Sequence, residues 1–173
     1  MPGIIVPVDT YRIRIKVKGS KFIATVGPAW QENEALHFVE NIQREFHDAT
    51  HNVFAWSLQN PAGGDDLTRC SDDGEPSGSS GPPVLQAIVS SGLTNTVVVV
   101  TRYFGGTLLG VGGLVRAYGE AACNALTGVK KRKLILHVMV SLLVPYDHIG
   151  AATGLLKALG LDMVAMNYDN NGA

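Results

Sequence analysis

Residues 96–118 read TVVVVTRYFGGTLLGVGGLVRAY, and this segment decides the fold. Its first six residues are apolar or β-branched, which predicts a buried central strand. From Leu114 to Leu126 apolar residues recur at helical spacing, which predicts an amphipathic helix. Five of the nine residues from 105 to 113 are glycine. The connection between strand and helix must therefore turn sharply or approach another group closely.

A second strand is predicted near the start of the chain, where apolar and basic residues alternate. One face carries Tyr11, Ile13, Ile15 and Val17, and the other carries Arg12, Arg14, Lys16 and Lys18. A period of two residues is typical of a half-buried strand. Gly19-Ser20 then predicts a turn, and residues 22–26 predict the hairpin partner.

Between these segments we expect a helix over residues 36–46 with Asn33 as its N-cap, followed by a strand over residues 53–58. Residues 60–83 are rich in glycine and proline, with a short extended piece near residues 67–70. Long loops in compact domains are often functional. A further helix is predicted over residues 84–91, ending near Gly92.

The basic run at residues 130–133 predicts a domain boundary, giving units of residues 1–132 and 133–173. The tail predicts a strand over 134–144, a helix capped by Asp147 and closed by Gly160, and a strand over 161–168. Asn171-Gly172 is a hairpin signal with one residue after it. We therefore expect a truncated unit with an exposed apolar sheet, and a homo-oligomer formed through it.

Composition narrows the class of protein. The chain has 173 residues, of which 46% are hydrophobic, so it has enough apolar side chains to form a core and is not mainly disordered. Its longest apolar run is far shorter than the roughly 20 residues that a membrane span needs, and we find no signal peptide. Cys70 and Cys123 form no CxxC motif. We expect a soluble cytoplasmic protein that binds no membrane and no cofactor.

Charge is distributed in blocks, although the formal net charge is only −1. Residues 1–21 carry five Lys or Arg and one acid, whereas residues 22–75 carry two Lys or Arg and ten acids. The predicted basic strand face favours a polyanion such as RNA. The alternative is a solvated edge, since edge strands commonly carry lysine. The candidate nucleic-acid-binding residues are Arg12, Arg14, Lys16, Lys18 and Lys21.

The glycine-rich connection is a candidate anion site, because backbone N–H groups at a helix start favour negative charge. It is neither a Walker A motif nor a GxGxxG fingerprint. The alternative is a tight turn with close packing of helix on sheet. The candidate anion-binding residues are Arg102, Gly105, Gly106, Gly110, Gly112, Gly113 and Arg116.

The segment 71–78, SDDGEPSG, is an acidic loop in which Asp72, Asp73 and Glu75 lie within four positions. Such carboxylates can hold Mg²⁺ or Ca²⁺ or transfer a proton. The loop is not an EF-hand, and we predict no metal, since Asp-Gly more often forms a turn in which Asp bonds nearby N–H groups. We expect the acidic loop and the glycine loop to share one surface, where Arg102 or Arg116 either contacts an anion or pairs with these carboxylates.

Two weaker signals involve histidine. His47 and His51 are four residues apart, a spacing that allows a shared zinc ion on a helix. They fall at a predicted helix-to-strand junction, so a pair with structural hydrogen bonds is the favoured interpretation. A nucleophilic pair of Cys70 with a histidine lacks a third orienting group.

Several motifs together resemble the IMPACT family, in its bacterial YigZ-type form. They are KGSKFIA at 18–24, DATH at 48–51, SDDGEPSG at 71–78 and the long segment 102–118. The resemblance covers roughly residues 10–128. Residues 137–168 look like the start of the smaller C-terminal domain of bacterial members.

The resemblance implies an α+β fold with a first domain like domain 2 of ribosomal protein S5, with a sheet on one side and helices on the other. It also implies a ferredoxin-like second domain, of which only part is present. Eukaryotic relatives restrain a starvation-responsive kinase that shuts down translation initiation. The leading hypothesis is a non-enzymatic regulatory protein linked to translation that binds RNA, the ribosome or a translation-associated protein. The alternative is a small-molecule enzyme with a phosphate-binding glycine loop and an acidic metal-binding or proton-transfer loop.

Overall fold

The computed structural model describes residues 3–60, 62–135 and 139–168. Its strands are β1 (Gly3–Pro7), β2 (Tyr11–Val17), β3 (Ser20–Pro28), β4 (His51–Leu58), β5 (Leu67–Ser71), β6 (Thr96–Tyr103) and β7 (Lys131–Ile135). Its α-helices are α1 (Glu32–Glu45), α2 (Gly81–Ser91), α3 (Val111–Gly128) and α4 (Ile149–Ala158). The antiparallel sheets and the mixture of helices and strands confirm the α+β class. The chain divides into two compact units, Met1–Leu136 and His137–Ala173.

The valine-rich strand β6 lies at the centre of a five-stranded antiparallel sheet with the order β2-β3-β6-β4-β5. All four of its valines, at positions 97–100, are fully buried. Successive side chains on a strand point to opposite faces. A continuous apolar run therefore requires that both faces of the sheet are covered, and the structure shows that they are.

The two faces carry separate cores. Val98 and Val100 pack with α2 and α3, whereas Val97 and Val99 pack with α1. The expected arrangement, with helices on one side of the sheet only, is therefore wrong. The reason is the β6 run itself, because a strand with one solvated face would alternate apolar and polar residues.

The predicted hairpin of β2 and β3 is confirmed, with Lys16 directly opposite Lys21. Its turn lies one residue earlier than expected. Lys18 and Gly19 both have positive φ, at 44° and 83°, as in the two-residue turns that match the twist of a hairpin. Lys18 consequently belongs to the turn, and the alternation of β2 ends at Val17.

Three helices begin earlier than predicted, and one of them, α3, starts at Val111, within the predicted glycine-rich connection. Helix α1 starts at Glu32 with Gln31 as its N-cap, so Asn33 is not the cap. Helix α2 starts at Gly81 and contains Pro82 and Pro83 in its first turn. Proline is tolerated there because the first helical N–H groups have no partner within the helix.

The second described sheet pairs β1 with β7. Lys131 to Ile135 form a regular antiparallel ladder with Pro7 to Gly3. Strand β7 therefore includes residues 133–135, which the sequence analysis assigned to the second unit. Their backbone hydrogen bonds are to β1, so the boundary predicted after residue 132 lies too early.

Within the described part of the second unit, helix α4 is the main element, preceded by a 3-10 turn over Tyr146–His148. Residues 139–144 and 161–168 form no strand. The predicted β-α-β pattern, and with it the expected exposed apolar sheet, is therefore not present in these residues, which make no ladder with another strand. Asp147 lies inside the 3-10 turn and does not cap α4, whereas Gly160 closes α4 in the left-handed region, as predicted. The Asn171-Gly172 signal lies outside the described residues.

Candidate functional site

A cleft of about 430 Å³ opens between the acidic loop, the start of β4 and the glycine loop. Four of the residues that line it are polar or charged, and we call these four the floor of the cleft: Thr50, His51, Glu75 and Arg102. The rest of its lining is almost entirely apolar and comprises Pro76, Phe104, Leu108, Leu109, Gly110, Val111 and Leu114. The acidic loop and the glycine loop therefore contribute to one cleft, as the sequence predicted.

The centre of the floor is a buried ion pair between β6 and the acidic loop. Arg102 Nη1 donates to Glu75 Oε1 at 2.6 Å, and the two side chains are only 5% and 4% exposed. The hydroxyl of Tyr118, from α3, donates to the same oxygen at 2.7 Å. Burial, together with this hydrogen bond to Glu75, raises the pKa of Tyr118 far above its ordinary value, so the phenol remains protonated.

His51 lies beside this pair at the first position of β4, opposite Arg102 in the sheet register. Its Nδ1 lies 2.7 Å from the carbonyl oxygen of Asp73. Its Nε2 lies 3.8 Å from Glu75 Oε2. The ring is thus oriented by the acidic loop, with its second nitrogen directed toward the carboxylate.

The structure gives Arg102 a different partner from the anion predicted for it. Its guanidinium lies over the rings of Phe22 and Phe104, with centroid distances of 5.6 and 5.5 Å. Its Nη1 binds Glu75, and its Nε is sealed from solvent without a hydrogen-bond partner. The structure instead contains the alternative that the sequence analysis left open, in which Arg102 pairs with a carboxylate of the acidic loop.

The three carboxylates of the acidic loop are directed to three different places. Asp72 accepts hydrogen bonds from the N–H groups of Gly78, Ser80 and Gly81, the last two at the start of α2. Asp73 Oδ2 accepts from the backbone N–H of Asn52, while Glu75 binds Arg102 and Tyr118. A metal site formed by all three therefore does not fit. No cluster of three or more His, Cys, Asp or Glu in the described ranges is arranged to hold a metal ion.

The pKa of Asp72 is lowered, and the cause is the ring of donors around it. Desolvation alone would raise this pKa, but the hydrogen bonds from Gly78, Ser80 and Gly81 outweigh it. The Ser80 hydroxyl adds a further bond to Oδ1 at 2.7 Å. Asp72 therefore acts as the cap of α2, which otherwise has no side-chain cap.

Close packing and backbone conformation explain why glycine occupies positions 105 and 106 of the glycine loop. A Cβ on Gly105 would lie 1.9 Å from the carbonyl carbon of Gly19, because the loop packs directly on the β2–β3 turn. Gly106 has a φ of 86°, which only glycine adopts readily. The N–H of Gly113 already donates to the Gly110 carbonyl. Glycine at these positions therefore requires no bound anion, and the close-packing alternative explains Gly105.

The other candidate anion residues lie at the start of α3. Gly110 lines the cleft, whereas Gly112 and Arg116 lie on the exposed surface. An anion role for these three residues stays a prediction.

His47 and Cys70 stay outside the cleft. Helix α1 ends at Glu45, so His47 lies in the following turn and does not keep helical spacing with His51. Cys70 lies on β5 against the core. Burial and the neighbouring charge of Asp72 raise the pKa of its thiol, which weakens it as a nucleophile.

The basic residues of the hairpin are divided by the structure. Arg12 makes two hydrogen bonds to Glu45, at 2.5 and 2.7 Å, and holds the pKa of that carboxyl below its usual range. Lys18 is in the turn. The remaining three share one sheet face, and no acid of the described chain lies within ion-pair distance of them; we call Arg14, Lys16 and Lys21 the cationic face.

Sequence reasoning missed three residues of these surfaces. Apart from the family motifs, Tyr118 was assigned only to the predicted helix that begins at Leu114, and His51 only to histidine pairings. Tyr103 lies on the same face as Lys21, whose ammonium lies 5.4 Å from its ring centroid. Only the strand register, which puts Tyr103 opposite Lys21 and His51 opposite Arg102, would have revealed the last two.

The motifs that form the cleft and the hairpin turn lie within a segment that matches a known family. Residues 18–126 match the Impact N-terminal domain. The chain belongs to the IMPACT family. The match spans the turn, the acidic loop and the glycine loop, so the cleft of this IMPACT protein is built from family sequence.

Relatives extend the likeness beyond that domain. An IMPACT family member of Thermus thermophilus is 44% identical over 146 residues, which cover 84% of this chain and 76% of the relative. YigZ of Escherichia coli is 38% identical over 126 residues, covering 73% of this chain and 61% of YigZ. This chain is also similar to a crystal structure of a hypothetical protein, with a TM-score of 0.72 and 30% identity. The similarity covers 98% of this chain and 82% of the crystallised chain. None of the helices formed by the described residues is long and apolar enough to cross a membrane.

Proposed function

We propose that this IMPACT protein is a non-enzymatic regulator linked to translation in the cytoplasm, and that it binds RNA, free or in the ribosome, through its cationic face. The family supports the link to translation. The observation that carries RNA binding is the direct opposition of Lys16 and Lys21 across the β2–β3 ladder. Like charges directly opposite on one sheet face destabilise the sheet, so a bound polyanion relieves a repulsion built into the fold.

The geometry of the cationic face suits a phosphate backbone. Arg14 and Lys16 are two residues apart on β2, which places them roughly 6.5–7 Å apart along the strand. Tyr103 adds a partly exposed ring next to Lys21, on which a base can stack. Such contacts position RNA without reading its sequence.

The number of free cations sets the expected salt dependence. Arg12 is neutralised by Glu45 and Lys18 lies in the turn, so three of the five predicted residues remain on one face. Neutralising three phosphates of a single strand gives a slope of log K against log salt of about −2. If Arg12 also neutralised a phosphate, the slope of log K against log salt would be steeper.

The experiment measures binding of a fluorescein-labelled 20-nucleotide poly(U) by fluorescence anisotropy at several salt concentrations. We expect Arg14→Ala/Lys16→Ala/Lys21→Ala to lower affinity strongly and to bring the salt slope close to zero. The matched control, Lys131→Ala/Arg132→Ala/Lys133→Ala, removes the same charge from the exposed residues of β7 and should change neither. Equal effects of both triple variants, or no effect of the first, would refute RNA binding by the cationic face.

A further inference from the structure

The floor of the cleft contains two hydrogen-bond acceptors that face each other. They are His51 Nε2 and Glu75 Oε2, 3.8 Å apart. This separation is too long for a direct hydrogen bond. Both residues line the same cleft, so a group with several donors that enters the cleft can reach both acceptors.

The hydrogen bond on the other side of the imidazole fixes the role of His51 Nε2. A backbone carbonyl only accepts hydrogen bonds, so His51 Nδ1 donates to Asp73 O. In the neutral ring the second nitrogen then carries a lone pair. The acidic loop thereby presents Nε2 as an acceptor to the cleft.

The hydrogen bonds of Glu75 leave one of its oxygens for a ligand. Oε1 receives both Arg102 and Tyr118, whereas Oε2 receives no hydrogen bond from a described residue. Glu75 lines the cleft, and Oε2 is the oxygen that lies 3.8 Å from His51 Nε2. It is therefore reachable from the cleft, beside His51.

We propose that the cleft binds a primary amine carried on an apolar body, with the ammonium donating to both His51 Nε2 and Glu75 Oε2. An ammonium has three donors and no acceptor, so it spans two acceptors at this distance. The apolar lining from Phe104, Leu108 and Val111 receives the rest of the molecule. The volume, about 430 Å³, falls in the range of small-molecule sites.

The charges around the floor also favour a cation over an anion. The carboxylate of Glu75 lies beside His51, and that of Asp73 accepts the backbone N–H of the next residue, Asn52, whereas one guanidinium, that of Arg102, is present. The guanidinium already binds Glu75, and its Nε is sealed from solvent. The N-terminal end of α3 opposes this by favouring negative charge. An anionic ligand is therefore the rival outcome that the experiment has to separate.

The experiment titrates the full chain with three molecules of similar shape. They are 2-phenylethylammonium, the neutral 2-phenylethanol and the anion 3-phenylpropionate. Binding is followed by calorimetry and by the NMR signal of the His51 ring. We expect saturable binding of the ammonium at least tenfold tighter than that of the other two, with a shift of the His51 signal. A parallel titration with the dipeptide Phe-Ala distinguishes a peptide N-terminus from a free amine as the source of the ammonium.

Two histidine variants complete the test. His51→Ala should weaken ammonium binding at least tenfold, whereas His47→Ala, at an exposed position in the preceding turn, should leave it unchanged. Thermal melting establishes that both variants are folded. Tighter binding of 3-phenylpropionate, unchanged binding by the folded His51→Ala variant, or no saturable binding of the ammonium would each overturn the proposal. Neither histidine belongs to the cationic face, so this outcome is independent of RNA binding.

Discussion

Replacing Glu75 with Gln should destabilise the first unit more than any other single charge removal in the acidic loop. The substitution preserves the shape of the side chain and one acceptor oxygen, so its main effect is to remove the charge opposite Arg102. Both side chains are at least 95% buried, so water does not screen the guanidinium that is left. Breaking a buried pair by removing one partner costs about 3–5 kcal/mol. For a chain of this length that corresponds to a fall in Tm of roughly 6–20 °C.

The assay is urea unfolding followed by tryptophan fluorescence. Both tryptophans, Trp30 and Trp56, belong to the first unit, and Trp56 is fully buried. Glu120→Gln is the matched control, because it makes the same charge change at an exposed position of α3. We expect this control to stay within about 0.5 kcal/mol of the unmodified protein.

The double variant Glu75→Gln/Arg102→Met tests whether the loss of stability comes from the unpaired buried guanidinium. Replacing both members of a buried ion pair by uncharged groups is often nearly neutral, because the cost of burying the charges also disappears. The double variant should therefore be more stable than Glu75→Gln alone. A loss below about 1 kcal/mol for the single variant would refute the reasoning, as would a double variant that loses the sum of the two single effects.

Three further predictions concern the surroundings of the cleft. Gly105→Ala should unfold at clearly lower urea concentration than Gly106→Ala, because a Cβ at 105 meets backbone 1.9 Å away whereas a Cβ at 106 meets open space and faces only the strain of a positive φ. Asp72→Asn should cost about 0.5–2 kcal/mol at pH 7. The folded pKa of Asp72 is lowered, so this contribution is present above the unfolded pKa near 3.9 and is lost as the pH falls through the folded value; unfolding of the two proteins should therefore converge in acid. Iodoacetamide, followed by peptide mass spectrometry, should modify exposed Cys123 well before Cys70, whose thiol pKa is raised by burial; equal rates would contradict this.

The sequence predicts the five strands of the larger sheet and the helices of the first unit because their signals are local, whereas it does not predict β1. The alternation from Tyr11 to Val17 and the valines of β6 depend only on the period of a strand. Local sequence signals do not predict an element whose formation depends on pairing with a distant segment of the chain. Residues 133–135 were assigned to the second unit because the basic run resembles a linker, yet they are paired with β1. In the second unit, residues 161–168 have strand-like composition but no ladder in the described chain, and composition does not supply a partner.

The same limit applies to the site. Asp72 and Asp73 were predicted to bond backbone N–H groups as an alternative to holding metal, and the structure favours that alternative. Glu75 is another carboxylate of the same loop, but it is buried against Arg102 and Tyr118. The local difference between Glu and Asp, one methylene group, does not reveal that the third carboxylate pairs with Arg102. The difference arises because the loop crosses the end of β6, where Arg102 lies.

The glycine loop shows that a glycine-rich pattern can arise from close packing of the backbone as well as from ligand binding. Glycine density predicts either close approach of a ligand or close approach of another backbone, since both exclude a Cβ. Gly105 is explained by the second cause, because the backbone of Gly19 fills the space that a Cβ on residue 105 would need. This contact also fixes the loop against the hairpin, and Ser20 Oγ accepts the N–H of Gly105 at 3.2 Å while lying 3.4 Å from Arg102 Nη2. The turn below the cationic face and the floor of the cleft are thus joined through Ser20. Ser20→Ala should therefore disturb Arg102 and change the NMR signal of the His51 ring. The substitution leaves the three side chains of the cationic face, Arg14, Lys16 and Lys21, in place. An unchanged His51 signal in that variant would show that the two surfaces are independent.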